Sequence, residues 1–136
     1  MATKLARDER ASIAVEFGIL VPIFVALMVG VTEFGMVFYT YYASVSAART
    51  VARQLATNSM PLSGGEAAVR ANLPAWVKNK ATIKVGQSNP SDYNANDISV
   101  SIMIPGSAAA PIHLMSWAYG SITISPTVTM QQEPVL

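Results

Sequence analysis

The stretch that decides the fold is "ASIAVEFGILVPIFVALMVGVTEFGMVFYTYY", Ala11 to Tyr42. From Phe17 to Thr32 it carries no charge, and Ile13 to Val15 and Phe34 to Tyr42 extend its apolar character on both sides. A bilayer span needs about 20 apolar residues in a helix. Phe38, Tyr39, Tyr41 and Tyr42 cluster at the far end, where an interfacial aromatic belt would sit. Two carboxylates interrupt the pattern, Glu16 at its mouth and Glu33 near its end. Ionisable residues in such a setting are costly and usually have a partner.

Composition agrees with a membrane segment. The 136 residues are 51% apolar and only 12% charged, about half the charge of an ordinary soluble domain. A net charge of +1 with no basic stripe gives no argument for nucleic acid. There is no Cys, and the single His113 has no acidic cluster around it in sequence, so thiolate chemistry is excluded and no metal site is indicated. Asp92 and Asp97 lie in a polar Asn-rich loop and read as turn chemistry. No GxSxG, HExxH or Walker loop occurs, and no cofactor or small-molecule substrate is implied.

Read outward, Ser12 to about Thr57 forms one long helix. Its membrane half covers about 13–42. Its second half is amphipathic, with Ala48, Val51, Ala52 and Leu55 on one face and Arg49 and Arg53 on the other. Pro22 removes a backbone bond and predicts a bend. Gly18, Pro22, Ala26 and Gly30 recur every four residues. Such a stripe lets another helix approach closely, although small residues are also simply common in membrane helices. Val45-Ser46-Ala47 could end a cleaved signal peptide, but Glu33 interrupts the approach and the apolar region is too long. A plain signal anchor is the other alternative. Basic residues number three before the span (Lys4, Arg7, Arg10) and two after it (Arg49, Arg53), which favours the N-terminus inside.

Residues 58–65 carry turn formers and form a linker. Ser63 and Glu66 have capping-box spacing for a short helix from Glu66 to about Lys80, which Pro74 would kink or split. Three alternating runs follow: Ile83 and Val85, then Ile98 to Ile104, then Ile122 to Met130. Period-two alternation predicts half-buried strands, and Pro126 marks the last as an edge or a bulge. The sum is an α+β plan: a long N-terminal helix, a short helix and a small antiparallel sheet of about three strands. The sheet is expected to bury one face on the Ala48–Leu55 side of the long helix. The apolar connection "PGSAAAPIHLMSWAYG", Pro105 to Gly120, either caps the core of that sheet, which is the expectation, or presents an apolar patch to a partner.

The residues Ala14-Val15-Glu16-Phe17, Val21-Pro22, Glu33-Phe34-Gly35, Phe38-Tyr39, Ala47-Ala48-Arg49 and Ala52-Arg53, with the closing "GSITISPTVTMQQEP", resemble TadE-like proteins. These are pseudopilins of the tight-adherence pilus system, related to type IV pili and type II secretion. The resemblance implies a pilin-like, non-enzymatic subunit in the cytoplasmic membrane, N-terminus cytoplasmic and head extracytoplasmic, that supports assembly of a pilus for surface attachment. Its implied partners are the lipid bilayer, a prepilin peptidase, other pilin subunits and the inner-membrane assembly platform. It implies a cytoplasmic leader at 1–11, cut between Ala11 and Ser12, with Glu16 and Phe17 completing the processing site. Ala11 stands where the family usually has Gly. It also implies helix packing in assembly through Glu16, Gly18, Pro22, Ala26, Gly30 and Glu33, with Glu16 paired to the new α-amino group of a neighbour. From the residues alone, Glu16 near a helix start is also tolerable in the headgroup region, where the helix dipole favours it.

Glu33 lies about five turns beyond Glu16, roughly 25 Å. The two cannot share a proton, and acid–base chemistry between them is excluded. Glu33 is expected near the outer headgroups, solvated or paired with an Arg of a neighbouring subunit. The alternative to a pilus subunit is a single-pass membrane protein whose head, residues 66–136, is an adhesin or scaffold that never enters a filament.

Overall fold

The computed structural model describes residues 2–92 and 95–134, with side chains from Ser12 onward. Helix α1 spans Ala2–Ala56 and runs through Pro22. Two compact units divide the chain, Met1–Thr32 and Glu33–Leu136. The first is the N-terminal part of α1, and the second carries the rest of α1 and everything after it.

In the second unit, α1 ends on a backbone lock. Asn58 adopts a left-handed φ of 55°, a conformation that Asn tolerates better than most residues. Its N–H donates to the Leu55 carbonyl at 3.1 Å, and the Ser59 N–H reaches back to Gln54 at 2.9 Å. That pair of bonds satisfies carbonyls the helix end would otherwise orphan.

A 3₁₀ turn at Leu62–Gly64 leads into α2, Gly65–Asn72. The Ser63 capping box does not form: Gly64 is the N-cap, with no side-chain cap. Glu66 instead pairs with Arg70 one turn on, at 2.9 Å. Helix α2 is also shorter than the Glu66–Lys80 expectation. Leu73 is extended, ψ 152°, because a residue before proline is pushed out of the helical region. Residues 74–80 continue as turns, with Val77 and Lys78 N–H groups both bonding the Pro74 carbonyl.

The antiparallel sheet has four strands: β1 Thr82–Gln87, β2 Asp97–Pro105, β3 Thr123–Ile124 and β4 Thr127–Gln131. A turn of helix, α3, Ser116–Tyr119, precedes β3. Strand β2 is central. It pairs β1 from Thr82↔Met103 to Gln87↔Ile98. It also pairs β4 from Asp97↔Gln131 to Ser101↔Thr127, and β3 at Ile104↔Ile124 and Pro105↔Thr123. The third alternating run is therefore cut in two at Pro126, which has no N–H for the ladder. The Pro126 carbonyl still accepts from the Ile102 N–H at 3.0 Å, which holds the break to the same partner strand.

Alternation along β2 sends Ile98, Val100, Ile102 and Ile104 into the core. They meet Ala47, Ala48, Val51, Ala52, Leu55 and Ala56 of α1 together with Val69, Leu73 and Val77. The small side chains on α1 let the sheet approach the helix backbone.

Candidate functional site

The face of α1 that carries Ala48, Val51 and Leu55 continues toward Glu33, but it becomes polar. Glu33, Thr40 and Ser44 are all fully buried, spaced seven and four residues apart and so on one side of the helix. Glu33 and Thr40 are matched by groups from the head, and Ser44 by the helix itself. The Thr40 hydroxyl donates to the Ala109 carbonyl at 2.6 Å. The Trp76 indole N–H reaches both Thr40 Oγ1, at 3.2 Å, and Ala109 O, at 3.3 Å. The Ser44 hydroxyl turns back to the Thr40 carbonyl at 2.7 Å.

Glu33 is the most consequential of the three. It is 0% exposed. Its Oε2 accepts the Met115 backbone N–H at 2.8 Å, and its Oε1 accepts the Tyr119 hydroxyl. This corrects the expectation of a solvated or Arg-paired carboxylate: Glu33 is buried within the unit that carries the head, held by neutral donors. Burying a carboxylate without a cation is tolerable only when its oxygens are hydrogen-bonded. Tyr119 is 4% exposed, and its ring meets Phe34 edge-on, centroids 5.8 Å apart. Burial first, then the hydrogen bond and the charge of Glu33, push the Tyr119 phenol up to about 12. It therefore acts as a neutral donor at ordinary pH. Among the described residues, no buried side-chain nitrogen or oxygen lacks a partner.

These bonds fix the Pro105–Gly120 connection in a divided state. Gly106, Ala108, Ala109, Ala110 and Tyr119 are buried. Gly106 is required where it stands, because an added Cβ would strike the Tyr119 and Ile122 carbonyls. Ile112, Leu114 and Trp117 instead face outward. The expected cap on the sheet is thus made by the small residues and Tyr119, while the larger side chains form a patch.

A second polar cluster closes the other end of the head. Asn96, 1% exposed, accepts the Asn89 N–H through Oδ1 at 2.8 Å and donates to Gln132 Oε1 at 2.6 Å. Gln132 in turn donates to Asn58 Oδ1, and Asn58 donates to the Glu133 carbonyl at 3.0 Å. The Glu133 N–H bonds the Ala56 carbonyl at 2.8 Å, so the chain end is tied to the end of α1.

The other sequence-predicted residues lie in the first unit. Ser12, Glu16, Phe17, Gly18, Pro22 and Ala26 are exposed and Gly30 is buried. A Cβ added at Gly18 would meet nothing within 4 Å. The Ala11 side chain, and those of the leader before it, lie outside the described residues. Within its own unit the helix thus presents Glu16 and most of the small-residue stripe openly, and only Glu33 is brought into a built site. Trp76, Asn96 and Gln132 escaped the sequence reading, and Tyr119 was read only as part of the cap on the sheet's core, not as a donor to Glu33. The one available signal was the seven-and-four spacing of Glu33, Thr40 and Ser44, which extends the amphipathic face.

The helix containing Ser12–Ala56 is long and apolar enough to cross a membrane, with a mean hydropathy of 2.4 over its most apolar window. No curated protein and no solved structure matches the chain significantly. The family model for TadE-like protein matches residues 11–53, about a third of the chain and about four-fifths of the helix that bears Glu16 and Glu33. Together with that membrane-type helix, the match is consistent with a TadE-like protein of a tight-adherence pilus system.

Proposed function

We propose that this protein is a non-enzymatic pseudopilin, a membrane-anchored subunit that supports assembly of a tight-adherence pilus. The observation that carries this reading is the TadE-like match over 11–53, which falls on the apolar helix and includes both carboxylates. In this reading residues 1–11 are a cytoplasmic leader, removed between Ala11 and Ser12 by a prepilin peptidase. The membrane half read from the sequence as about 13–42 narrows in this reading to about Ile13–Thr32, because Glu33 and Thr40 are buried against the head. About 20 residues suffice to cross a hydrocarbon core at 1.5 Å per residue. Everything from Glu33 onward belongs to an extracytoplasmic head.

The two carboxylates then do different work. Glu16 stands exposed in a stretch otherwise rich in apolar side chains. A cation from a neighbouring chain would neutralise it, and the Ser12 α-amino group freed by cleavage has the right charge. Gly18, Pro22 and Ala26 offer the close-approach surface for that neighbour. Glu33 is already satisfied within its own chain and organises the head. The partners are therefore other pilin subunits and the assembly platform, met through the span.

N-terminal sequencing of the mature membrane-bound protein tests the reading. A free amine at Ser12 supports it. An intact Met1-Ala2 start overturns the processing step and favours a single-pass protein whose head never enters a filament. Glu16→Ala should keep the protein in the membrane but impair pilus assembly. Unchanged assembly in that variant would refute the pairing role of Glu16.

A further inference from the structure

We propose that the loop carrying Ile112, Leu114 and Trp117 is a second membrane contact, seated in the headgroup region of the bilayer beside the end of the span. Three observations on the head carry this. First, the loop presents large apolar side chains outward: Trp117 is 79% exposed and Leu114 67%. Second, it is pinned, because Met115 and Tyr119 both bond the Glu33 carboxylate. Third, Glu33 directly follows Thr32, the last residue of the uncharged run. One residue of helix advances about 1.5 Å, so chain connectivity alone keeps the Glu33 anchor at the boundary where the apolar run stops.

The chemistry of the loop suits that depth. No Asp, Glu, Lys or Arg occurs from Ile98 to Gln132, so entering the interface strips no charge of its water. Indole is the side chain that best occupies a region apolar on one side and wet on the other. The aliphatic side chains of Ile112 and Leu114 add area that would otherwise face water. A protein partner would be expected to find charges or hydrogen-bonding side chains at the rim of the patch, and this loop offers only Ser116 and His113. The contact would fix the head against the membrane before assembly and be given up when the subunit leaves the bilayer.

The proposal rests on the bilayer-spanning reading of the helix, and its test separates the two. The full chain carrying Trp76→Phe, which leaves Trp117 as the single indole, is reconstituted in vesicles of phosphatidylethanolamine and phosphatidylglycerol. Flotation and protease protection of the N-terminal helix report the span. Lipids bearing a nitroxide at headgroup depth, and aqueous iodide, report Trp117. Trp117 should lose about half or more of its emission to the nitroxide lipid, as an interfacial indole does, and respond little to iodide. Full iodide quenching without lipid quenching, in protein that floats and is protected, overturns the loop contact and leaves the span intact. Failure to float overturns both. Shielding from iodide that appears only at high protein density, without lipid quenching, assigns the patch to another chain and also overturns the proposal.

Trp76 donates two hydrogen bonds, so a second probe avoids its loss. The chain has no Cys, and Leu114→Cys carrying an environment-sensitive dye should shift to the blue on reconstitution. The same dye at Pro90→Cys, beside Asn58 past the far end of α1, should stay aqueous. Equal spectra at the two sites would refute the contact.

Discussion

Replacing Glu33 separates a built carboxylate site from a solvated surface charge. Glu33→Ala removes the acceptor for two buried donors, the Met115 N–H at 2.8 Å and the Tyr119 hydroxyl. The hydroxyl has a fallback, because the Ile112 carbonyl already lies 3.4 Å away. The Met115 amide, among the described residues, donates to Glu33 alone. Hydrogen bonds to a charged group contribute about 1.5–3 kcal/mol each, and a buried donor left unsatisfied costs about 1–3 kcal/mol. The expected loss for Glu33→Ala is therefore about 3 kcal/mol. Glu33→Gln keeps one acceptor, and its amide can donate to the Tyr119 oxygen, so its loss should be about 1 kcal/mol. The assay is urea unfolding of the full chain in detergent micelles, followed by the fluorescence of Trp76 and Trp117. With an m-value near 2 kcal/mol per M, Glu33→Ala should lower the midpoint by about 1.5 M and Glu33→Gln by about 0.5 M. If both variants stay within about 0.5 kcal/mol of the parent, as surface substitutions do, Glu33 is solvated and the reasoning fails. An Ala variant no worse than the Gln variant would refute it equally.

Tyr119 gives a pH signature. Its phenol is pushed from 10.0 up to about 12 by burial and Glu33, so the fold favours the protonated form. That contribution is fully present below pH 10 and is lost as pH rises toward 12. Tyr119→Phe should flatten the fall in melting temperature across that window relative to the parent. Ile102→Ala, on the central strand and fully buried, should cost about 2–5 kcal/mol in the same urea assay. The Glu66–Arg70 pair is partly exposed, so Glu66→Ala should change stability by less than about 0.5 kcal/mol. Arg70→Ala should cost more, about 1–2 kcal/mol. Arg70 also donates to the Lys78 and Ala81 carbonyls, and those bonds hold the turns between α2 and β1.

Much of the fold was readable from local pattern. An uncharged apolar run, a 3.6-residue stripe from Ala48 to Leu55 and period-two alternation in β2 each state their own secondary structure, because burial must repeat with the geometry of the element. Proline was also readable. Pro74 ended α2 early and Pro126 split the last strand, both through the missing N–H and the restricted neighbour. The Ser63 cap failed because Gly64–Gly65 start the helix one residue late. Gly65 is pressed against Leu55 and Val85, where an added Cβ would sit 3.1–3.3 Å from their side chains.

The sites divide along the same line. Glu16, Gly18, Pro22 and Ala26 were singled out from one continuous stretch, and on the helix they are exposed, with no partner among the described residues from a distant part of the chain closing on them. Glu33 was singled out for the same reason, but its environment was misread. Its partners, Met115 and Tyr119, lie far along the chain, and no local pattern links a carboxylate to an amide and a phenol that close around it only on folding. The same holds for Asn58, Asn96 and Gln132, which read as turn and strand-end residues until the chain end meets the end of α1. Periodicity reports which side of an element is buried. It cannot report whether the groups waiting there are water, lipid or donors from another part of the chain. That choice decided whether Glu33 was a solvated charge or the anchor of a loop, and tertiary packing made it.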